Sequence, residues 1–103
     1  MYKELIPLNL EDLIRHVEDR SDALMQRVRV TFTNGYALSV IQGDGAYGVK
    51  EAPFEIAPIN LDDKLDSDLF DGDDQCDAVL GCCDIATVNH YMTKLANLPG
   101  DTA

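Results

Sequence analysis

The apolar positions of the chain fall into two periods. Leu10, Leu13, Ile14 and Val17 recur at i, i+3, i+4 and i+7, a spacing that gathers side chains on one face of a helix. Asn9 stands before them as an N-cap, and Glu11 and Asp12 meet the positive end of the helix dipole. The pattern predicts a helix over about residues 10–20, with a stripe one face wide that lies on another element rather than passing through a core. At the far end Ile85, Val88, Met92 and Leu95 repeat the helical spacing behind Asp84 as N-cap, and Pro99 and Gly100 stop it. A second helix is expected over about residues 85–97.

Between the helices the period is two. Residues 27–33 alternate polar and apolar and are rich in β-branched side chains, the mark of a strand with one wet face. Asn34 and Gly35 then turn the chain into residues 36–41. A two-residue turn would put Val28, Val30 and Phe32 on the face opposite Tyr36, Leu38 and Val40. A three-residue loop of Thr33, Asn34 and a left-handed Gly35 pairs Phe32 with Tyr36, Val30 with Leu38 and Val28 with Val40, which keeps one apolar face. The bulged hairpin is therefore expected. A third strand over about residues 53–59 alternates again, and Pro53 and Pro58, which cannot donate ladder hydrogen bonds, place it at an edge. Ala78, Val79 and Leu80 offer a short extra strand. The sum is a small α+β fold: an N-terminal helix, a three-stranded antiparallel meander with a bulged hairpin, and a C-terminal helix packed on the sheet. With 103 residues the chain has room for one domain, 1–103.

Charge changes this picture in one place. Against 8 Lys and Arg stand 19 Asp and Glu, a net charge of −11. Residues 1–61 carry 9 acids and 6 bases, residues 62–84 carry 9 acids and 1 base, and residues 85–103 carry one of each. Most of the excess is thus a local acidic loop at 62–77, whose acids are all Asp, a residue that favours turns over helices. So acidic a chain excludes direct nucleic-acid binding as the main activity, since phosphate recognition rests on basic surface. Docking on an anionic membrane is excluded on the same ground. No apolar run approaches the roughly 20 residues that span a bilayer, and the first residues lead into no signal-peptide core. The reading is a soluble, cytoplasmic protein.

Candidate chemistry is sparse. Gly43, Gly45 and Gly48 match G-x-G-x-x-G after a strand, but the chain continues towards another strand instead of a helix, so a flexible loop is preferred and no cofactor is expected. Tyr47 at the tip of that loop is a packing or partner-contact residue. The Asp window invites a calcium reading, yet with Gly72 at position 6 of an EF-hand loop, positions 3 and 12 are Leu69 and Ala78, and the ligand pattern fails. An irregular divalent site from Asp66, Asp68, Asp71 and Asp73 is the alternative to a solvated loop. Cys76, Cys82 and Cys83 have no C-x-x-C spacing or paired histidines, and buried, reduced cysteines with His16 and His90 on the surface are expected rather than a zinc site or a nucleophile. No catalytic residue is assigned.

Phe32–Ile41, then Tyr47 and Gly48, then residues 53–57, and finally Val79, Leu80 and Gly81 before a helix ending at Leu98 and Pro99, together resemble small uncharacterised proteins encoded by tailed phages and prophages. The resemblance covers about residues 31–99 and is one of pattern, with a longer and more acidic insert here. It implies a phage-derived protein acting in the bacterial cytoplasm and transfers no functional residue. The expected function is accordingly protein–protein interaction without catalysis. Asp66, Asp68, Asp71, Asp73, Asp74 and Tyr47 would meet a protein partner of basic surface, such as a host nucleic-acid-binding or defence protein that is inhibited. The alternatives are a structural or accessory phage protein that assembles with itself, as a homodimer, and a weak divalent-cation-binding module.

Overall fold

The structure, a computed structural model, describes residues 6–23, 25–43, 53–72 and 79–99. Among them five strands form one antiparallel sheet in the order β1-β2-β3-β4-β5: β1 Ile14–Asp19, β2 Met25–Phe32, β3 Ala37–Gly43, β4 Phe54–Ile59 and β5 Leu80–Cys83. A 3-10 helix, Leu8–Leu13, precedes β1, and one α-helix, α1 (Ile85–Ala96), follows β5. The expected N-terminal helix and three-stranded meander are therefore corrected to a five-stranded sheet with a single C-terminal α-helix.

The first correction has a local cause. Ile14 pairs with Phe32 and Val17 with Val30, while a bulge interrupts the ladder between Ile14 and His16. The extra residue, Arg15, turns a spacing of three into a spacing of two along the sheet, so Ile14 and Val17 share a strand face while imitating a helical period. The Arg15 guanidinium hydrogen-bonds to the Thr33 carbonyl at 2.6 Å. The start of the short 3-10 turn is Pro7, which lacks a side-chain cap bond, rather than Asn9.

The β2–β3 hairpin has the three-residue register: Val28 faces Val40, Val30 faces Leu38, and Thr31 faces Ala37. Gly35 has φ 98°, open to a residue without Cβ, and its N–H donates to the Phe32 carbonyl at 3.0 Å. The edge placement of β4 is also corrected, because β4 lies between β3 and β5. Pro58 is tolerated there for a directional reason. Its carbonyl accepts from the Asp66 N–H at 3.1 Å on the side away from β3, while β5, which begins at Leu80 opposite Ile56, pairs with Phe54 and Ile56. In an antiparallel strand the N–H and C=O of one residue point the same way, so the missing donor removes no bond to β3.

Helix α1 begins and ends as its sequence suggests. Asp84 Oδ1 accepts from the Thr87 N–H at 2.8 Å and from its hydroxyl at 2.9 Å, and Asn97 forms the C-cap. Val88, Tyr91, Met92 and Leu95 join Leu10, Val28, Val30, Phe32, Leu38, Val40, Ile56 and Phe70 in one buried cluster between helix and sheet. The hairpin turn reaches across to close this layer. Asn34, only 5% exposed, donates from Nδ2 to the carbonyls of Leu95 (2.7 Å) and Leu98 (2.9 Å) and accepts from the Tyr36 N–H at 3.1 Å. Its amide adds a side-chain donor to the Leu95 carbonyl, which also accepts from the backbone N–H groups of Asn97 and Leu98, and ties down the Leu98 carbonyl just past the helix end.

Replacing Asn34 by Ala removes the side-chain donor from both carbonyls and the acceptor from the Tyr36 N–H, leaving the Leu95 carbonyl only its backbone partners. Such a loss costs about 1–3 kcal/mol, and a thermal melt of Asn34→Ala is expected to record a destabilisation of that size; an unchanged melting temperature would show that Asn34 does not hold the helix end to the hairpin.

Candidate functional site

The acidic segment is a built structure over its described part, residues 60–72. Asn60 organises the first turn: its Oδ1 accepts from the N–H groups of Asp62 (2.9 Å) and Lys64 (3.1 Å), and its own N–H donates to the Lys64 carbonyl at 2.9 Å. Asp63 takes a left-handed φ of 64°, a conformation that Asp accepts better than most residues, and its carboxylate pairs with the Arg29 guanidinium. Leu65 bridges to Ile59 as an extra rung beside β4. Asp66 then caps a short 3-10 turn, Ser67–Leu69, by accepting from the Asp68 N–H at 3.0 Å.

After that turn the segment is nailed to α1. Phe70 is buried and meets the Tyr91 ring edge-on, with centroids 5.2 Å apart. The Asp71 N–H donates to the Tyr91 hydroxyl at 3.1 Å, while the Asp71 carboxylate takes Lys94 Nζ at 2.9 Å and His90 Nε2 at 2.7 Å. The hydrogen bond from Lys94, then that from His90, holds the Asp71 carboxyl below its ordinary value.

Of the residues predicted for the site, Asp66, Asp68 and Asp71 are thus placed on one hydrogen-bonded segment, with Asp68 and Asp71 exposed and Asp66 half-buried. Asp73, Asp74 and Tyr47 lie outside the described residues, as do Cys76 and the glycine-rich loop beyond Gly43. Asp66 and Asp71 have structural work, as cap and as clamp, which their spacing did not reveal. Among the described residues no three His, Cys, Asp or Glu side chains come together as a metal site. Cys83 is buried, with Sγ 3.4 Å from the Leu80 carbonyl, whereas Cys82 is exposed at φ 53°; the expectation of buried cysteines is corrected for Cys82. His90 is exposed on α1 and His16 is exposed on β1, in a strand rather than on the expected helix.

A second feature escaped the sequence reading. On the sheet face opposite Val28 and Val30, Arg27 stands beside Ile41 and Arg29 beside Ser39, and with Arg20, Ile59 and Leu65 they line a groove of about 220 Å³. The alternation of residues 27–33 already announced a wet face; what filled it depended on the neighbouring strands.

No helix among the described residues is long and apolar enough to cross a membrane. Compared with protein-family models, with curated proteins and with solved structures, the chain matches none.

The Asp71 clamp carries a pH signature. A carboxylate held below its ordinary value in the folded state adds stability above that value, 3.8, and loses it as the pH falls through the lowered one. Asp71→Asn is expected to melt below the parent protein near neutral pH, with the gap closing in acid beneath 3.8; a gap independent of pH would show that the carboxylate's charge is not what holds the segment.

Proposed function

We propose that this chain is a non-catalytic protein-interaction module of the phage type, working in the bacterial cytoplasm. It docks its acidic segment on a partner of basic surface, with inhibition of a host nucleic-acid-binding or defence protein as the result. The observation that carries this reading is the set of hydrogen bonds and packing contacts that ties residues 60–72 to the scaffold. The Asn60 turn, the Asp66 cap, the buried Phe70 and the Asp71 clamp hold five aspartates, at positions 62, 63, 66, 68 and 71, in fixed relative places. A surface ordered before binding loses little conformational entropy on docking, and grouped carboxylates raise the rate of encounter with a basic partner.

The same geometry decides how the reading is tested. Asp63, Asp66 and Asp71 bind the scaffold, so removing every aspartate together would mix loss of charge with loss of structure. Asp62 and Asp68 are exposed, and the double variant Asp62→Asn, Asp68→Asn removes two charges from the segment. Capture from a bacterial lysate by the parent protein is expected to recover a basic protein at low salt and to fall as salt rises. The double variant, once its melting curve matches the parent, is expected to recover several-fold less. Equal recovery by the two, with equal salt dependence, would overturn the acidic segment as the contact surface.

A further inference from the structure

The groove on the second sheet face gathers three of the chain's eight Lys and Arg residues in a protein of net charge −11. Its walls are Arg20, Arg27 and Arg29, and its apolar lining is Ile41, Ile59 and Leu65. Leu65 is 52% exposed, an apolar side chain left open to solvent at the groove. Two of the arginines are already balanced: Arg20 pairs with Glu18 at 2.8 Å and Arg29 with Asp63. Arg27 has no carboxylate partner among the described residues. Its Nε donates to the Met25 sulfur at 3.2 Å, a weak acceptor.

We propose that this groove is a binding site for a small organic monocarboxylate with an apolar body. Three physical arguments select that occupant. With Arg20 and Arg29 compensated, Arg27 is the open cation of the lining, and Glu55, buried on the same face beside Ile41, opposes a phosphate monoester of about −1.5 to −2 more strongly than it opposes a single carboxylate. Its volume of about 220 Å³ lies under the roughly 300–1,000 Å³ of sites for drug-sized ligands, so a chain of a few carbons fills it against Ile41, Ile59 and Leu65. A polyanion would meet the aspartates of the neighbouring segment. A single carboxylate in contact with Arg27 feels mainly its immediate partners, because charge further off is screened over about 8 Å at physiological salt. The Arg27 fork supplies parallel donors of the geometry a carboxylate accepts. Asp63 is the internal competitor, since it takes a donor of Arg29 that a ligand could otherwise use.

The test is a titration of the isotope-labelled full chain followed by two-dimensional amide NMR, with sodium hexanoate as the probe, hexan-1-ol as the same body without charge, and acetate as the charge without the body. Hexanoate is expected to give saturable shifts at the amides of Arg27, Arg29, Ser39 and Ile41 in the millimolar range, with the two controls weaker. Arg27→Gln is expected to weaken hexanoate about tenfold, as loss of one charge-assisted contact implies. Asp63→Asn is expected to strengthen it about two- to threefold by releasing Arg29, at a left-handed position that Asn adopts as readily. Absence of saturable shifts, equal response to hexanol, or an Arg27→Gln variant that binds as the parent does would each overturn the proposal. So would an Asp63→Asn variant that, with an unchanged melting curve, binds more weakly.

Discussion

One buried amide joins two parts of this protein that are distant in the chain. Asn34, in the turn between β2 and β3, donates to the carbonyls of Leu95 and Leu98 at the end of α1. Helix and hairpin are sequence-distant, and without a polar tie their relation would rest on apolar packing alone, which has no direction. The amide adds direction. It can do so only because the three-residue turn, with Gly35 in a left-handed conformation, lets the Asn34 side chain lie inward while its Oδ1 holds the Tyr36 N–H. Hairpin register, helix position and the closure of the core between them are therefore one arrangement. The Asp84 cap sets where the helix starts, and Asn34 sets where its other end rests on the sheet.

The acidic segment obeys the same economy of polar contacts. Charge that looks like a solubility feature along the chain has been divided among tasks. Asp63 neutralises Arg29, Asp66 caps a 3-10 turn, and Asp71 joins the segment to Lys94 and His90 on α1. Exposed ion pairs of this kind each contribute little. Phe70 supplies the apolar anchor, and the carboxylates around it fix orientation. Arg29 and Asp63 also link the two surfaces, since one partner lines the groove and the other belongs to the acidic segment.

Features written in short-range chemistry could be read from the chain. The ends of α1 follow from Asp84 and from the apolar spacing of Val88, Met92 and Leu95, and the β2–β3 register follows from asking which loop length keeps Val28, Val30, Leu38 and Val40 on one face. Features that depend on what lies alongside could not be read that way. Ile14 and Val17 have a helical spacing, yet β2 offered them a ladder and a bulge absorbed the extra residue. Pro58 pointed to an edge strand, and only its orientation, with its carbonyl turned from β3 towards the Asp66 N–H, left it harmless inside the sheet. Of the candidate carboxylates, composition located the segment but not the partners of Asp66 and Asp71, and the arginine groove left only the alternating wet face of β2 as its trace. Periodicity, caps and turns act within a few residues, so they are properties of the local sequence. Strand order, burial and which charges meet are set by contacts between residues distant in the chain, and these exist only once the sheet has assembled.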